Sequence, residues 1–378
     1  RADAGRPGQL TTVAAPPAAV AALRVAVRRC LATELRATEP GATEPGATEP
    51  GATGGRVLVA CSGGADSLAL ALAARFVAPR AGLGCGLVTI DHGLQQGSDQ
   101  RAVDVAGWAR GAGFDPVLAV PVTVAGRPGG PEAAARQARY LALAGAAERS
   151  GAAAVLLGHT LEDQAETVLL ALARGAGPRG LAGMPTRRVK HGVAFLRPLL
   201  GVPRAHTASA CACAGLVPWQ DPHNTDPAYA RARVRALLPD LVTALGPGVV
   251  ANLARTASLL AVDAGYLDAA AEVAAVDCVV ADGRVATDGG VVVGGAAPVG
   301  AGVALSVPEL VALPVALRGR VLHRWALGLG AAGAALSHRH VTALDDLVTR
   351  WHGQGPVALP GGVLVARRGA APVRTGSG

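Results

Sequence analysis

The stretch that decides the fold is V-L-V-A-C-S-G-G-A-D-S at residues 57–67, followed by the apolar run L-A-L-A-L at 68–72. An apolar strand that stops at two glycines and restarts as an apolar helix is a strand–turn–helix element. Backbone N–H groups at such a helix start favour an anion, and the glycines let the loop curl around a phosphate. The loop G-x-x-x-x-G-K-[ST] is excluded, because no lysine follows and the single lysine of the chain is Lys190. The stretch therefore predicts a phosphate-binding loop of another kind at 62–67.

Strand and helix patterns alternate from residue 56 to residue 174. Four apolar runs have the length of buried strands: 56–60, 86–91, 116–124 and 153–158. Each is followed by a helical pattern, at 67–77, 99–112, 131–149 and 162–174. This order predicts an α/β fold with a doubly wound parallel sheet, covered by helices on both faces. Ligands bind beyond the carboxyl ends of such strands, so the segments ending at Ser62, Asp91 and His159 should converge on one crevice.

The rest of the chain predicts two further regions around a phosphate-binding catalytic domain at 56–235. Residues 1–55 contain a helical pattern and then A-T-E-P-G three times at 37–51, which cannot bury a core and predicts an extension with a linker. Residues 175–235 are loop-rich, and 236–378 predict a smaller domain of mixed helices and strands. The elements expected there are helices at 249–262, 267–275 and 337–351, a Gly-rich strand-like tract at 278–307 and a hairpin at 357–368.

Composition narrows the class of protein. The net charge of +8 favours a polyanionic partner, although a requirement for solubility would also account for it. The long uncharged stretch 289–308 is broken by glycines and two prolines, so we expect no membrane span. No secretory signal pattern opens the given sequence, so we expect a cytoplasmic protein whose six cysteines are reduced thiols.

A second chemical segment is H-T-L-E-D-Q-A-E-T at 159–167, at a strand end and helix start. Asp163 and Glu166 are three residues apart beside the apolar stripe of the helix, so both carboxylates can face one site. Paired carboxylates beside a phosphate loop suit Mg²⁺ or a substrate ammonium. The alternative is that Thr160 caps the helix and the acids only favour its dipole. The neighbouring loop at 62–67 favours the functional interpretation.

Other polar segments have structural alternatives. D-H-G-L at 91–94 is typical of a polar turn, and Glu132 with Arg136 is typical of a solvated helix face. Four residues invite a zinc interpretation, although their spacing is not a common ligand pattern: His206, Cys211, Cys213 and His223. Three arginines at spacing two favour an extended or irregular basic surface over one helical face: Arg231, Arg233 and Arg235.

Taken in order, these segments resemble the bacterial tRNA(Ile)-lysidine synthetases of the PP-loop ATP pyrophosphatase superfamily. Seven motifs carry the resemblance: S-G-G-A-D-S at 62–67, D-H-G-L at 91–94, E-A-A-A-R-Q-A-R-Y at 132–140, G-H-T-L-E-D-Q-A-E-T at 158–167, R-G-A-G…G-L-A-G-M at 174–184, R-P-L-L at 197–200 and D-P-H-N…Y-A-R-A-R-V-R…L-P at 221–239. The first motif is shared by many ATP pyrophosphatases, whereas 158–184 is much more specific. The tail L-P-G-G at 359–362 is compatible with the same family.

The resemblance implies a two-step ligation with ATP and Mg²⁺ as cofactors. ATP would adenylate the C2 oxygen of the wobble cytidine in a tRNA(Ile) with a CAU anticodon. Free L-lysine would then displace AMP and form lysidine. The implied partners are lysine and this tRNA, which the C-terminal domain at 236–378 is expected to bind, and a homodimer stays open.

The resemblance also assigns residues to roles. Those expected to hold ATP are Ser62, Gly63, Gly64, Ala65, Asp66, Ser67, Asp91, His92 and His159. Those expected to be catalytic are Asp66, Asp163, Glu166 and Arg139, with Asp66 and Glu166 also expected at Mg²⁺. Those expected at the tRNA are Arg231, Arg233 and Arg235.

Three positions depart from the family pattern, namely Glu162, Ala176 and Ala232, and none removes a group that the chemistry requires. Glu162 stands where the family usually has aspartate, so it is given no direct role.

Three rival functions remain. A tRNA thiolase would need a cysteine pair that the chain lacks, and an amide-forming ligase would not need the arginine-rich segment 187–235. A non-catalytic RNA-binding protein would not need the carboxylates of Asp66, Asp163 and Glu166.

Overall fold

The computed structural model describes residues 16–35, 55–91, 93, 97–122, 131–221, 226–281, 290–294, 303–333 and 335–368. By its internal contacts the chain divides into two compact units, Arg1–Ala261 and Val262–Gly378. The A-T-E-P-G repeats expected to form a linker lie outside the described residues.

Unit 1 alternates strands and helices along the chain. Its strands are β1 (Arg56–Ala60), β2 (Gly84–Asp91), β3 (Val117–Pro121), β4 (Ala152–Leu157), β5 (Arg187–Lys190) and β6 (Val193–Leu196). Its helices are α1 (Ala18–Glu34), α2 (Ala65–Val77), α3 (Ser98–Gly111), α4 (Pro131–Ser150), α5 (Leu161–Ala173), α6 (Pro178–Leu181), α7 (Arg204–Cys213), α8 (Ala230–Leu245) and α9 (Val249–Cys278), the last of which continues into unit 2. The four strands and four helices predicted between 56 and 174 are confirmed, with ends that differ by a few residues.

The described strands of unit 1 form one sheet in the order β3-β2-β1-β4-β6-β5. All neighbouring pairs are parallel except the edge strand β5, which runs antiparallel to β6. Alternate residues of β1 enter two different cores: Val57 and Val59 face α2 and α3, whereas Leu58 and Ala60 face α4. Helices therefore cover both faces, and the predicted α/β fold class is confirmed, with an antiparallel edge strand as the one difference.

The strand order reverses between β1 and β4, which makes this the switch point of the sheet. The two strands lie side by side in parallel, so their carboxyl ends open on one crevice. Gly158 follows β4 and lets the start of α2 approach closely, because a Cβ there would stand 3.0 Å from the carbonyl carbon of Asp66. The fold thus brings the loop at 62–67 and the start of α5 to one place.

Helix α1 packs against α2 and α7 and buries Leu23, Val27 and Leu31, which are spaced four residues apart on one face. The segment predicted as an extension thus supplies a helix to the core of unit 1. The predicted domain limit at 235/236 falls inside α8, and the contact-based division falls inside α9. The limits of the catalytic domain stay a prediction.

Two stretches differ from expectation. One helix, α9, replaces the two predicted at 249–262 and 267–275, since the intervening Gly265 is accommodated at the modest cost of about 1 kcal/mol typical of an interior glycine. Residues 175–235, predicted to be loop-rich, contain the β5–β6 hairpin and the helices α6 and α7. Among the described residues no single helix has the length and hydropathy of a membrane span, and α8 with α9 reach those values only as a pair bent by 104°.

Among its described residues, unit 2 contains a small sheet and three helices after α9. The strands are β7 (Val279–Ala281), β8 (Gly290–Gly294), β9 (Val303–Ser306), β10 (Val357–Leu359) and β11 (Val363–Arg368), in the sheet order β10-β11-β8-β9-β7. The helices are α10 (Val307–Ala312), α11 (Val315–Gly328) and α12 (His338–Thr349). All neighbouring strands of this sheet are antiparallel. The predicted smaller domain of mixed helices and strands is confirmed.

Candidate active site

The loop between β1 and α2 is organised around the hydroxyl of Ser67. The backbone N–H of Ser62 donates to Ser67 Oγ at 3.1 Å, and Ser67 Oγ donates to the carbonyl oxygen of Gly64 at 2.9 Å. Gly63 has φ +85°, a conformation that glycine adopts readily, and its carbonyl accepts the N–H of Trp219. No side chain from the described parts of the chain caps the first turn of α2. The backbone N–H groups of that turn are therefore available to an anion.

Three carboxylates meet at the switch point. Asp66 lies in the first turn of α2, and Asp163 and Glu166 lie in the first two turns of α5. Their side chains become more enclosed in that order, with exposed fractions of 25%, 10% and 0%. The predicted convergence of the phosphate loop with the acidic helix is present in the fold.

Three arginines surround these carboxylates. Arg204 reaches all three, with Nε 3.4 Å from Asp66 Oδ2 and Nη2 3.2 Å from Asp163 Oδ1 and 3.6 Å from Glu166 Oε1. Arg235 Nε lies 2.7 Å from Glu166 Oε1, and Arg231 Nε lies 3.4 Å from Glu166 Oε2. We call these six residues the carboxylate–arginine site. Its three negative and three positive charges balance, as buried charges require.

Arg204 was not identified from the sequence, because it comes from α7, outside both the acidic motif at 159–167 and the arginine triplet at 231–235. Its backbone N–H, at the first position of α7, donates to Glu162 Oε2 at 2.9 Å. One turn later Thr207 Oγ1 donates to Asp66 Oδ1. Glu162, given no direct role by the sequence, thus holds the start of the helix that carries Arg204. The sequence signal is weak: Pro203 directly precedes α7 as its N-cap residue, and proline is tolerated at the start of a helix but not in its interior.

The carboxylates titrate differently because their surroundings differ. Burial raises the pKa of Asp66, and the Thr207 hydroxyl and Arg204 only partly offset it. Burial acts to raise the pKa of Asp163 too, but Arg204, His159 and the Thr160 N–H hold that pKa below its ordinary value. For Arg235, burial acts to lower the pKa, and the hydrogen bond and charge of Glu166 raise it.

The prediction that the arginines at 231–235 form an extended or irregular surface is wrong because they are helical, although the three do not share one helical face. They lie in the first turns of α8, where residues four apart share a face and the residue between them does not. Arg231 and Arg235 therefore both reach Glu166, whereas Arg233 is exposed and donates to the carbonyls of Pro227 and Ala228. The spacing of the three arginines suggested an extended segment because the sequence there has no apolar stripe that would indicate a helix.

Thr160 and Asp163 also form a helix cap, which is the structural alternative considered from the sequence. The N–H and hydroxyl of Thr160 both donate to Asp163 Oδ2, at 2.8 and 3.1 Å, which fixes the start of α5. The other oxygen, Oδ1, faces Arg204 and Arg235. Asp163 thus serves the helix with one oxygen and the site with the other.

Arg139 and His159 lie on the α4 side of the crevice. Burial lowers the pKa of Arg139, and its guanidinium makes no ion pair with a described carboxylate. Burial lowers the pKa of His159 to about 3, so its ring is neutral, and Nδ1 is buried without a hydrogen-bond partner among the described residues. An unpaired cation and an unsatisfied ring nitrogen are suited to a polar ligand.

The remaining sequence candidates are placed as follows. Asp91 ends β2, and its Oδ1 accepts the N–H of Gly93 and the hydroxyl of Ser98, the turn role considered as an alternative. His92, His223 and the side chain of Glu132 lie outside the described residues. Within the described parts of the chain, no group of three or more His, Cys, Asp or Glu side chains is arranged to hold a metal.

A magnesium ion bound through phosphates needs only one or two protein carboxylates. Asp66 fits this requirement, because it is partly exposed beside the loop. Glu166 is enclosed by guanidinium groups, so a cation would reach it only after Arg204 moved aside.

Comparison with known proteins agrees with this geometry. A family model described as "PP-loop domain" matches residues 42–241, and one described as "TilS substrate binding domain" matches residues 305–371. A tRNA(Ile)-lysidine synthase of Salinispora arenicola is 59% identical over 355 residues, which is 94% of this chain and 95% of the relative. The chain belongs to the tRNA(Ile)-lysidine synthase family.

Other members of the tRNA(Ile)-lysidine synthase family are similarly close. The protein of Salinispora tropica is 62% identical over 315 residues, 83% of this chain and 89% of the relative. That of Thermobifida fusca is 51% identical over 355 residues, 94% of this chain and 95% of the relative. The family resemblance stated from the motifs is thereby confirmed.

Proposed function

We propose that this protein joins free L-lysine to C2 of the wobble cytidine in tRNA(Ile) with a CAU anticodon, forming lysidine and releasing AMP and pyrophosphate. One observation carries the proposal. The single guanidinium of Arg204 reaches Asp66 of the phosphate loop and both Asp163 and Glu166 of the acidic helix. The anion-binding and cation-binding halves of an adenylation site therefore share one crevice.

In the first step, the C2 oxygen of the cytidine attacks the α-phosphorus of ATP and the bond to pyrophosphate breaks. The loop at 62–67 would hold the phosphates through its backbone N–H groups, and His159 and Asp91 flank it at neighbouring strand ends. Arg139, which has no described carboxylate partner, would balance charge that develops on the phosphate or the adenylated base. Mg²⁺ held by Asp66 would supply further charge neutralisation on the departing pyrophosphate.

In the second step, the ε-amine of lysine attacks C2, AMP leaves with the C2 oxygen, and the amine loses a proton. Asp163 and Glu166 would bind the lysine ammonium. The site is already neutral, so an incoming ammonium must take the place of an arginine contact. Arg204 is the candidate to yield, because its contacts of 3.2–3.6 Å are longer than the 2.7 Å contact of Arg235. Arg204 would then be free to turn toward a phosphate.

The test is ATP–pyrophosphate exchange together with incorporation of labelled lysine into RNA. We expect exchange only with unmodified tRNA(Ile) carrying CAU, and label in that RNA once lysine is added. A matched transcript carrying GAU is the control, because it lacks the wobble cytidine. Exchange that ignores the RNA, or lysine that never enters it, would contradict the proposal. A cytoplasmic location belongs to the same proposal, since the substrates are there.

A further inference from the structure

Five cationic side chains gather around one buried tyrosine, Tyr140 of α4. We call them the Tyr140 cation cluster: Arg136, Arg139, Arg188, Lys190 and Arg197. Arg197 Nη2 donates to the Tyr140 hydroxyl at 3.1 Å, Lys190 Nζ lies 4.6 Å from the ring centroid, and the Arg136 guanidinium lies 5.5 Å from it. The phenol gives Arg197, Lys190 and Arg136 a partner that carries no full charge.

The β5–β6 hairpin supplies the outer part of this cluster. Arg188 is paired across the hairpin with Phe195, whose ring makes an edge contact with Tyr140 at 4.9 Å. Arg188 and Lys190 are two residues apart in a strand, so both lie on the face that carries α4. Arg188 is exposed and Lys190 is half-buried, so their charges are open to a ligand.

The cluster is not neutralised within the described part of unit 1. None of its five cations makes an ion pair with a carboxylate whose side chain the structure describes, in contrast to the balanced carboxylate–arginine site. The pKa of Lys190 is lowered, mainly by burial and next by the charge of Arg188. The pKa of Arg197 is also lowered, mainly by burial, with the charges of Arg136 and Arg188 acting in the same direction. Like charges held together in this way produce a positive potential that favours the binding of an anion.

The cluster is continuous with the crevice. Arg139 of α4 interacts electrostatically with Cys61, which directly precedes the phosphate loop, and with His159. Tyr140, the next residue, connects it to Arg197 and Lys190. Positive charge therefore runs from the reaction centre to the edge strand β5.

We propose that the Tyr140 cation cluster binds the phosphate backbone of the tRNA beside the nucleotide that reacts. The inference rests on the proposed function, because it takes the RNA as the ligand of the crevice. A polyanion anchored at the crevice would extend along this line of charge, whereas a single phosphate would leave its outer end unused. The alternative is that Arg188 and Lys190 only keep the edge strand β5 from pairing with another chain.

The test compares two double variants that remove the same charge. Arg188→Gln with Lys190→Gln alters the cluster. Arg110→Gln with Arg149→Gln alters exposed arginines near the C-terminal ends of α3 and α4, which lead into the amino ends of β3 and β4, whereas the crevice lies at the carboxyl ends of the strands. Filter binding with unmodified tRNA(Ile) at several salt concentrations gives the Kd and its salt dependence.

For the cluster variant we expect the Kd to rise on the order of tenfold at moderate salt, and the slope of log Kd against log salt to fall by about 2, one per phosphate contact. The control should change the Kd less than about twofold. The charge-conserving exchange Arg188→Lys with Lys190→Arg should restore the slope, since charge and not shape is required.

A cluster variant with the Kd and slope of the control would overturn the proposal. The same outcome together with new self-association of the variant would assign the two charges to protection of the edge strand. Failure of the proposed function is a separate result: wild-type protein that binds this RNA but never incorporates lysine would contradict it, while the change in Kd would still support the surface.

Discussion

The carboxylate–arginine site and the Tyr140 cation cluster lie on the same unit, contain about the same number of charges and treat them in opposite ways. In the first, three carboxylates face three guanidinium groups, and the most enclosed acid, Glu166, contacts all three. In the second, five cations, three of which contact one phenol, pair with no described carboxylate. The first is complete in the free protein, whereas the second is incomplete until an anion binds.

The difference teaches what each charge contributes. Removing one member of a balanced buried set leaves its partner uncompensated, which costs stability. Removing one member of a like-charged set relieves repulsion, so it lowers the affinity for the ligand and not the stability of the fold. Substitutions of the same kind should therefore lower stability in one region and lower RNA affinity in the other.

The largest effect is expected for Asp66→Asn, which removes charge where the phosphate loop meets the balanced site. The amide keeps the shape and the Thr207 hydrogen bond but loses the attraction for metal and for Arg204. We expect tRNA-dependent ATP–pyrophosphate exchange to fall by at least about 100-fold, the scale of losing one electrostatic contact in a transition state.

Asp240→Asn is the matched control, because Asp240 is exposed on α8 and the change removes the same charge. Full exchange activity in the Asp66 variant would show that the loop carboxylate plays no part in the reaction. An equal loss in both variants would point to net charge instead of position.

Part of this contrast could be predicted from the sequence. The loop at 62–67, the acidic pair and the alternation of strands and helices are local patterns, and the switch point follows from their order. Arg204 could not be found, because it reaches the site through the β6–α7 connection, a contact between residues 138 positions apart. The pairing of Arg231 and Arg235 was missed because the start of α8 has no clear apolar stripe, and contacts with α5 decide it.

The next effect compares Arg235→Met with Arg188→Met, which remove one guanidinium from each region. Arg235→Met removes the guanidinium that lies 2.7 Å from Glu166, whose side chain has no exposed surface. Arg235 is itself partly exposed, so we expect the free energy of unfolding to fall by about 2 kcal/mol, below the range for fully buried pairs. Arg188→Met should leave the free energy of unfolding within about 0.5 kcal/mol of wild type or raise it.

Urea unfolding followed by circular dichroism measures both variants. Equal destabilisation would mean that the Tyr140 cation cluster is a structural element and would weaken its assignment to RNA. No destabilisation by Arg235→Met would mean that Glu166 is held by its other partners, of which Arg231 is the nearer at 3.4 Å and Arg204 lies at 3.6 Å.

A smaller change in stability is expected when Arg233 of α8 is replaced instead of Arg235. Arg233 contacts only backbone carbonyls at the surface, so Arg233→Met should lower the free energy of unfolding by less than about 0.5 kcal/mol and leave the balanced site intact. If Arg233 binds tRNA, as the family resemblance implies, the Kd for RNA should still rise. A stability loss equal to that of Arg235→Met would contradict the helical separation of the two side chains.

A comparably small effect is expected for Glu162→Gln, which tests whether the balanced site depends on how α7 begins. The glutamine oxygen can still accept the backbone N–H of Arg204, so geometry is kept and only the negative charge at the helix N-terminus is lost. Such a charge contributes about 0.3–1 kcal/mol, and the same urea measurement resolves a loss of that size. Glu162→Ala removes the acceptor as well, and should also loosen Arg204 and raise the KM for lysine. If both variants lost equal stability and neither changed that KM, Glu162 would act through helix charge alone, and the placement of Arg204 would depend on its contacts with Asp66 and Asp163.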